Sequence, residues 1–241
     1  MKIEFKDVSK SYGVINALKN INFSIEPGDF VFLVGPSGAG KSSLIKLILQ
    51  EIKPSSGEIL FNTTSHRQLN SKQTEQNRRK IGVIFQDYQL IFDKNIEENI
   101  ALALDINNYP KQEIPQRIEE VINQVGLASR RFLFPSQLSG GEMQRAALAR
   151  AIAIKPEIIL ADEPTGNLDA KNAWNLVKLL SDINASGTTV LMTTHNLDIV
   201  SSMNKTVYTI YNGELKVEGS PSPAPKIIKK KKKIKKVITK A

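Results

Sequence analysis

Residues 35–42 read Gly-Pro-Ser-Gly-Ala-Gly-Lys-Ser, the G-x-x-x-x-G-K-[ST] pattern of a phosphate-binding loop. No other stretch restricts the possible folds as much, because such a loop works only between a buried strand and a helix. Both flanks are present. Phe30-Val31-Phe32-Leu33-Val34 is an apolar run suited to a central strand, and residues 43–49 carry a helical pattern. The backbone of Gly35, Pro36, Ser37, Gly38, Ala39 and Gly40 can wrap so that its N–H groups face a phosphate. The helix N-terminus behind it adds partial positive charge. Lys41 is expected to reach the β- and γ-phosphates and the Ser42 hydroxyl to bind Mg²⁺, with Ser43 counted in the same cradle.

The remaining pattern predicts an α/β protein with a mainly parallel sheet, an antiparallel β subdomain and an inserted helical subdomain. Residues 2–8 and 21–25 alternate as half-buried strands before the apolar one, which suggests a small antiparallel sheet beside a parallel core. Lys53 to Gly57 is read as closing the first helix, and residues 62–80 as exposed turn and helix, with His66 solvated. Residues 81–85, 158–161 and 188–193 are further strand candidates, and 206–217 a hairpin around Asn212-Gly213. Helices are expected over 95–104, 115–125 with Pro115 in its first turn, about 139–154, and 170–184 with Trp174 packing inward. Arg130 and Arg131 read as solvated. The domain is expected over 1–219, its helical part about 87–155, followed by a linker and tail over 220–241.

Charge separates that tail from the body. Nine of the 33 lysines and arginines fall in 221–241, which has no acidic residue, so 24 basic groups face 24 acidic ones before it. A DNA-binding domain more often carries its basic patch on the folded body. Pro221, Pro223 and Pro225 stiffen the linker, and 226–240 is lysine-rich. Solvated disorder, attraction to anionic lipid and nucleic-acid contact are the three readings of the tail. No apolar run approaches the ~18 residues of a membrane span. The N-terminus lacks the apolar core of a signal peptide, and the absence of cysteine suits a reducing cytoplasm.

Several polar residues fall at the carboxyl ends of the predicted strands, where open α/β sheets gather ligands. Asp162 follows four apolar residues and is placed to hold Mg²⁺. Glu163 is placed to polarise a water aimed at the γ-phosphate. His195 ends a later strand and is positioned to hold that water or the phosphate; Gln86 ends another and reads the same place. Tyr12, upstream of the loop, is either an edge aromatic or a ring on which adenine stacks. Leu138-Ser139-Gly140-Gly141-Glu142 opens a long helix and makes a second anion-binding N-terminus. One chain does not readily aim two such sites at one γ-phosphate, whereas two chains can, which predicts a nucleotide sandwich.

Taken in order, Gly35–Ser42, Gln86, Leu138-Ser139-Gly140-Gly141-Glu142-Met143-Gln144-Arg145, Ile158–Glu163, Gly166-Asn167-Leu168-Asp169 and His195 resemble the Walker A, Q-loop, signature, Walker B, D-loop and H-loop of ABC-type ATPases. The likeness spans about residues 1–218. It implies an ATP- and Mg²⁺-dependent ATPase, homodimeric with ATP, with Lys41, Glu163 and His195 catalytic. Ser42, Gln86 and Asp162 would serve the metal, and Ser139 to Glu142 would act across the dimer. It also implies adenine stacking by Tyr12, Gln86 at the junction with membrane subunits, Asp169 at the dimer interface, and a place on the cytoplasmic face of the membrane. Ile84-Phe85-Gln86-Asp87-Tyr88-Gln89-Leu90 is most similar to the cell-division branch, whose members pair with a membrane protein of FtsX type and control peptidoglycan hydrolases. ATPases of lipoprotein release and macrolide export share the 166–169 pattern. A nucleotide-gated scaffold and a nucleic-acid-associated ATPase stand as readings from other classes.

Overall fold

A computed structural model describes residues 1–218. The lysine-rich tail, read above as solvated disorder, lipid contact or nucleic-acid contact, lies outside the described residues. The phosphate-binding loop joins β3 (Phe30–Val34) to α1 (Lys41–Ile48). β3 is central to a six-stranded sheet that also contains β6 (Ile81–Phe85), β7 (Ile158–Asp162), β8 (Thr189–Thr194), β9 (Thr206–Tyr211) and β10 (Glu214–Glu218). The order is β10-β9-β3-β8-β7-β6, parallel except for the terminal β9–β10 hairpin.

Strand alternation divides the core in two. Phe30, Phe32 and Val34 face one side with Ile159, Ala161, Val190 and Met192; Val31 and Leu33 face the other with Ile158, Leu160 and Leu191. The first face is covered by the helices α3 (Ile96–Ile106), α4 (Ile114–Gln124), α5 (Gly140–Ala153) and α6 (Ala170–Ala185). The second holds α1 and the antiparallel sheet β2-β1-β4-β5, made of β1 (Ile3–Tyr12), β2 (Ile15–Ile25), β4 (Ser56–Phe61) and β5 (Thr64–Ser65). The remaining helices are α2 (Ser71–Arg78) and α7 (Leu197–Ser202).

Four local readings are corrected. α1 ends at Ile48 with Leu49 as its C-cap, and Gln50 then turns left-handed (φ 57°), so Lys53–Gly57 leads into β4 rather than closing the helix. His66 is half-buried, not solvated: its Nδ1 accepts the Ile59 N–H at 3.1 Å, and burial pushes its pKa down. Trp174 is 42% exposed, while Ala173, Leu176, Val177 and Leu180 form the inner face of α6. Arg131 is part-buried and clamps Glu97 at 2.6 and 3.0 Å, whereas Arg130 is exposed as read and also holds Glu142 at 2.9 Å.

Candidate nucleotide site

The loop 35–40 lies at the carboxyl end of the parallel strands, the end at which β7 and β8 deliver Asp162, Glu163 and His195. Gly40 caps α1 in a left-handed conformation (φ 114°), and a Cβ there would lie 2.6 Å from the Ala17 carbonyl. A Cβ at Gly35 would collide with the Ile210 carbonyl. Both glycines are therefore dictated by close backbone approach.

Lys41 is only 5% exposed, so its charge must be met locally. Its Nζ donates to the Gly35 and Pro36 carbonyls at 2.7 and 3.0 Å and pairs with Glu163 Oε1 at 3.0 Å. Glu163 arrives from the end of β7 with φ 46°. Its second oxygen meets His195 Nδ1, beyond the end of β8, at 2.8 Å. Burial pushes the Glu163 carboxyl up, but hydrogen bonds and charge from Lys41 and His195 outweigh it and hold the group below its ordinary range. Asp162 lies beside it, and Thr193 touches both: its Oγ1 donates to Asp162 Oδ1 at 2.6 Å and accepts the Glu163 N–H at 2.8 Å.

Gln86 follows β6 and is clasped to the 166–169 segment. Its Nε2 donates to Asn167 Oδ1 at 3.2 Å, and Asn167 Nδ2 donates to the Gln86 carbonyl at 3.1 Å. A Cβ at Gly166 would sit 2.8 Å from the Gln86 amide nitrogen. Tyr12 ends β1 with its ring 45% exposed and its hydroxyl 3.5 Å from Ser43 Oγ. A hollow of about 190 Å³ lies among Ala17, Ser37, Lys41, Ser42, Ser43 and Glu163. A larger hollow of about 560 Å³ borders Pro36 and His195, but its Leu197, Val200 and Val207 walls offer little to a phosphate. The smaller one has the polar lining that a phosphate needs.

Ser42 is exposed on the first turn of α1, and Asp162 has one carboxylate oxygen engaged with Thr193. With Gln86 these are oxygen donors, the kind a hard divalent cation takes. Among the described residues no three His, Cys, Asp or Glu converge on one point. The donor set thus fits an ion that completes its shell with phosphate oxygens and water, as Mg²⁺ does.

Ser139 caps α5. Its Oγ accepts the Glu142 N–H at 3.3 Å, and Glu142 Oε2 accepts the Ser139 N–H and hydroxyl at 2.9 and 2.8 Å. Ser139 donors and Arg130 hold the Glu142 carboxyl down at about 2. No hydrogen bond or ion pair among the described residues joins Ser139, Gly140, Gly141 or Glu142 to the loop 35–42. These residues pack against the start of α6 and the segment after β6 instead: a Cβ at Gly141 would lie 2.7 Å from Asn172 Oδ1, and one at Gly140 2.9 Å from the Tyr88 hydroxyl. Sequence reasoning found the acids and the histidine but missed Thr193, Arg130 and Asn172. The usable signal for Thr193 was a hydroxyl residue directly after the apolar run Val190-Leu191-Met192 and two before His195.

The fold, the loop and the polar ring at the strand ends define an ATP-binding cassette. The pattern described as "ABC transporter" matches residues 18–166, and the chain belongs to that family of ATPases. The chain is 46% identical over 212 residues to the cell division ATP-binding protein FtsE of Bacillus subtilis (strain 168), covering 88% of this chain and 93% of that protein. It is 41% identical over 214 residues to FtsE of Escherichia coli (strain K12), covering 88% and 96%. Among solved structures it is similar to the dimeric post-hydrolysis state of the ATP-binding cassette MJ0796 bound to ADP and Pi. That likeness has a TM-score of 0.81 and 35% identity, over 90% of this chain and 97% of that one. The chain is an ATP-binding, ATP-hydrolysing cassette, and no helix among its described residues is long and apolar enough to cross a membrane.

Proposed function

We propose that this ATPase drives an integral-membrane partner of FtsX type in the control of peptidoglycan hydrolysis during cell division. It would act from the cytoplasmic face of the membrane and as a homodimer when ATP is bound. Identity above 40% to FtsE over most of both chains supports the division role, and the dimeric MJ0796 cassette supports the dimer. The lysine-rich segment 226–240 would add contact with anionic lipid. Deleting 221–241 should then weaken binding to anionic vesicles.

The single observation that carries the catalytic reading is the chain of contacts Lys41–Glu163–His195 at 3.0 and 2.8 Å. In the proposed mechanism the 35–40 backbone and Lys41 bind the phosphates, and Tyr12 stacks on adenine. A triphosphate draws Lys41 away from Glu163, which releases the carboxylate to orient and deprotonate water. His195 holds Glu163 in line with the γ-phosphorus. Ser42, Asp162 and Gln86 would hold Mg²⁺, which offsets charge on the phosphate oxygens. Ser139, Gly140, Gly141 and Glu142 would close on the γ-phosphate from the second subunit. Positioning and electrostatics supply most of phosphoryl-transfer catalysis, and this arrangement contains both.

Glu163→Gln tests it. Turnover should fall at least about 100-fold, the range for loss of a positioned base. ATP should still bind and trap a dimer on size exclusion. Unchanged hydrolysis would sink the assignment of Glu163.

A further inference from the structure

We propose that Thr193 is a positioning residue for hydrolysis, one hydroxyl that sets both acidic side chains of the site. This role rests on the assignments of Asp162 and Glu163 just made. Thr193 lies on β8 directly across from Asp162 on β7 in parallel register, and it is fully buried. A buried hydroxyl must find partners, and these two come from the last residue of the neighbouring strand β7 and the residue after it. The Glu163 N–H donates to Thr193 Oγ1 at 2.8 Å, so the hydroxyl proton is committed to Asp162 Oδ1 at 2.6 Å. The direction of both bonds is fixed, because a carboxylate only accepts and an amide N–H only donates. Each bond polarises the next.

Two consequences follow for the reaction. Asp162 loses its freedom to rotate, since one oxygen is held and the other would remain for the cation that it and Ser42 are proposed to hold. Glu163 keeps a left-handed backbone at φ 46°, uncommon for a residue with a side chain. That bend sends its carboxylate back to Lys41 and His195. Thr194, the next residue, acts elsewhere, as its Oγ1 accepts the Asn196 N–H at 3.0 Å at the start of α7.

Valine has the shape of threonine without the hydroxyl, so Thr193→Val removes both bonds and keeps the packing. Thr193→Ser keeps the hydroxyl and loses only a methyl. The experiment measures steady-state ATP hydrolysis by the full chain and, separately, Mn²⁺ binding in the presence of ADP by electron paramagnetic resonance. Thr193→Val should lower kcat about tenfold with KM for ATP within about twofold, the split expected when alignment rather than nucleotide binding is lost. Its Mn²⁺ affinity should weaken about threefold or more, as when a partner holding a ligand carboxylate is removed. Thr193→Ser should stay within about twofold of the parent on both readouts. Thr193→Ala, which loses the same hydroxyl, covers the case in which valine does not fold. Parent values of kcat and Mn²⁺ affinity in the valine variant, with or without a lower melting temperature, would overturn the role; so would serine as impaired as valine. A parallel Glu163→Gln sample separates the two failures. If it stays active, the base is misassigned; if it is inactive while Thr193→Val matches the parent, only Thr193 is.

Discussion

Gly141→Ala should damage both stability and turnover, and the structure gives the reason atom by atom. Gly141 is buried in the first turn of α5, where an added Cβ would meet Asn172 Oδ1 at 2.7 Å and Asn172 Cβ at 3.2 Å. The amide cannot swing aside freely. Asn172 Nδ2 donates to Asp169 Oδ2 at 2.8 Å, and the Asn172 N–H donates to Asp169 Oδ1 at 2.8 Å, the bond that caps α6. Relief requires either breaking the side-chain bond or pushing the two helix starts apart. Overpacking of this kind costs about 2 kcal/mol. For a domain of this size that is a fall in Tm of about 4–8 °C, read by differential scanning calorimetry. The same displacement moves Ser139 relative to Asp169, so ATP hydrolysis should fall further than stability alone explains. Asn172→Ala removes the obstructing amide at the cost of one exposed bond. The double variant should therefore recover at least about half of the Gly141→Ala loss, a coupling energy of about 1 kcal/mol. Strictly additive single and double variants, within about 0.5 kcal/mol, would refute the contact as the cause.

Asn99→Ala should be among the most damaging changes in the helical block. Asn99 is 2% exposed, accepts the Ile91 N–H and donates to the Ile91, Lys94 and Asn95 carbonyls. Leaving these groups unmatched should cost about 3 kcal/mol and lower Tm by about 6–12 °C; a calorimetric shift under about 2 °C contradicts it. Acid should act through Glu142. Its folded pKa of about 2 lies below its ordinary 4.5, so its stabilisation is complete above pH 4.5 and disappears as pH falls through about 2. Solvent screening discounts the contribution to about 1 kcal/mol. Urea unfolding of parent and Glu142→Gln should converge across that interval, and a constant gap would disprove the linkage.

Periodicity made the parallel core legible because those strands are buried on both faces. Phe30–Val34, Ile81–Phe85 and Ile158–Ala161 read as unbroken apolar runs, and the structure places all three in one sheet, β6 beside β7 and β7 one strand from β3. β4 escaped for the opposite reason. Gly57 turns left-handed and Glu58 is polar, so only Ile59 to Phe61 remained as a signal, next to a proline and two serines that suggest a helix stop. Trp174 misled because a large aromatic on a helix normally faces the core, whereas Ala173, Leu176, Val177 and Leu180 already fill that side of α6. His66 misled through its polar neighbours, although one hydrogen bond from β4 is enough to half-bury an imidazole. Residue types at the strand ends identified Asp162, Glu163 and His195. Their mutual contacts depend on which strands are neighbours, and that order is a property of the fold rather than of any local stretch. Thr193 meets Asp162 only because β8 lies beside β7, 31 residues away along the chain.

Both anion-attracting elements of the site are already answered by carboxylates of the same chain. Glu163 sits against the buried Lys41 charge, and Glu142 folds back on the Ser139 cap at the start of α5. Neither carboxylate is an accident of a flexible surface, since each side chain is only 20% exposed and is held by at least two partners. Without such partners a buried lysine would face a large desolvation penalty, and the Ser139 N–H at the start of α5 would lack an acceptor. An incoming phosphate must therefore compete with a carboxylate already in place rather than fill an unmet demand. A single negative charge gains little by that exchange, whereas a triphosphate brings several charges and reaches Lys41 and the loop backbone at once. Such competition would favour the full nucleotide over inorganic phosphate as much as the shape of the hollow would.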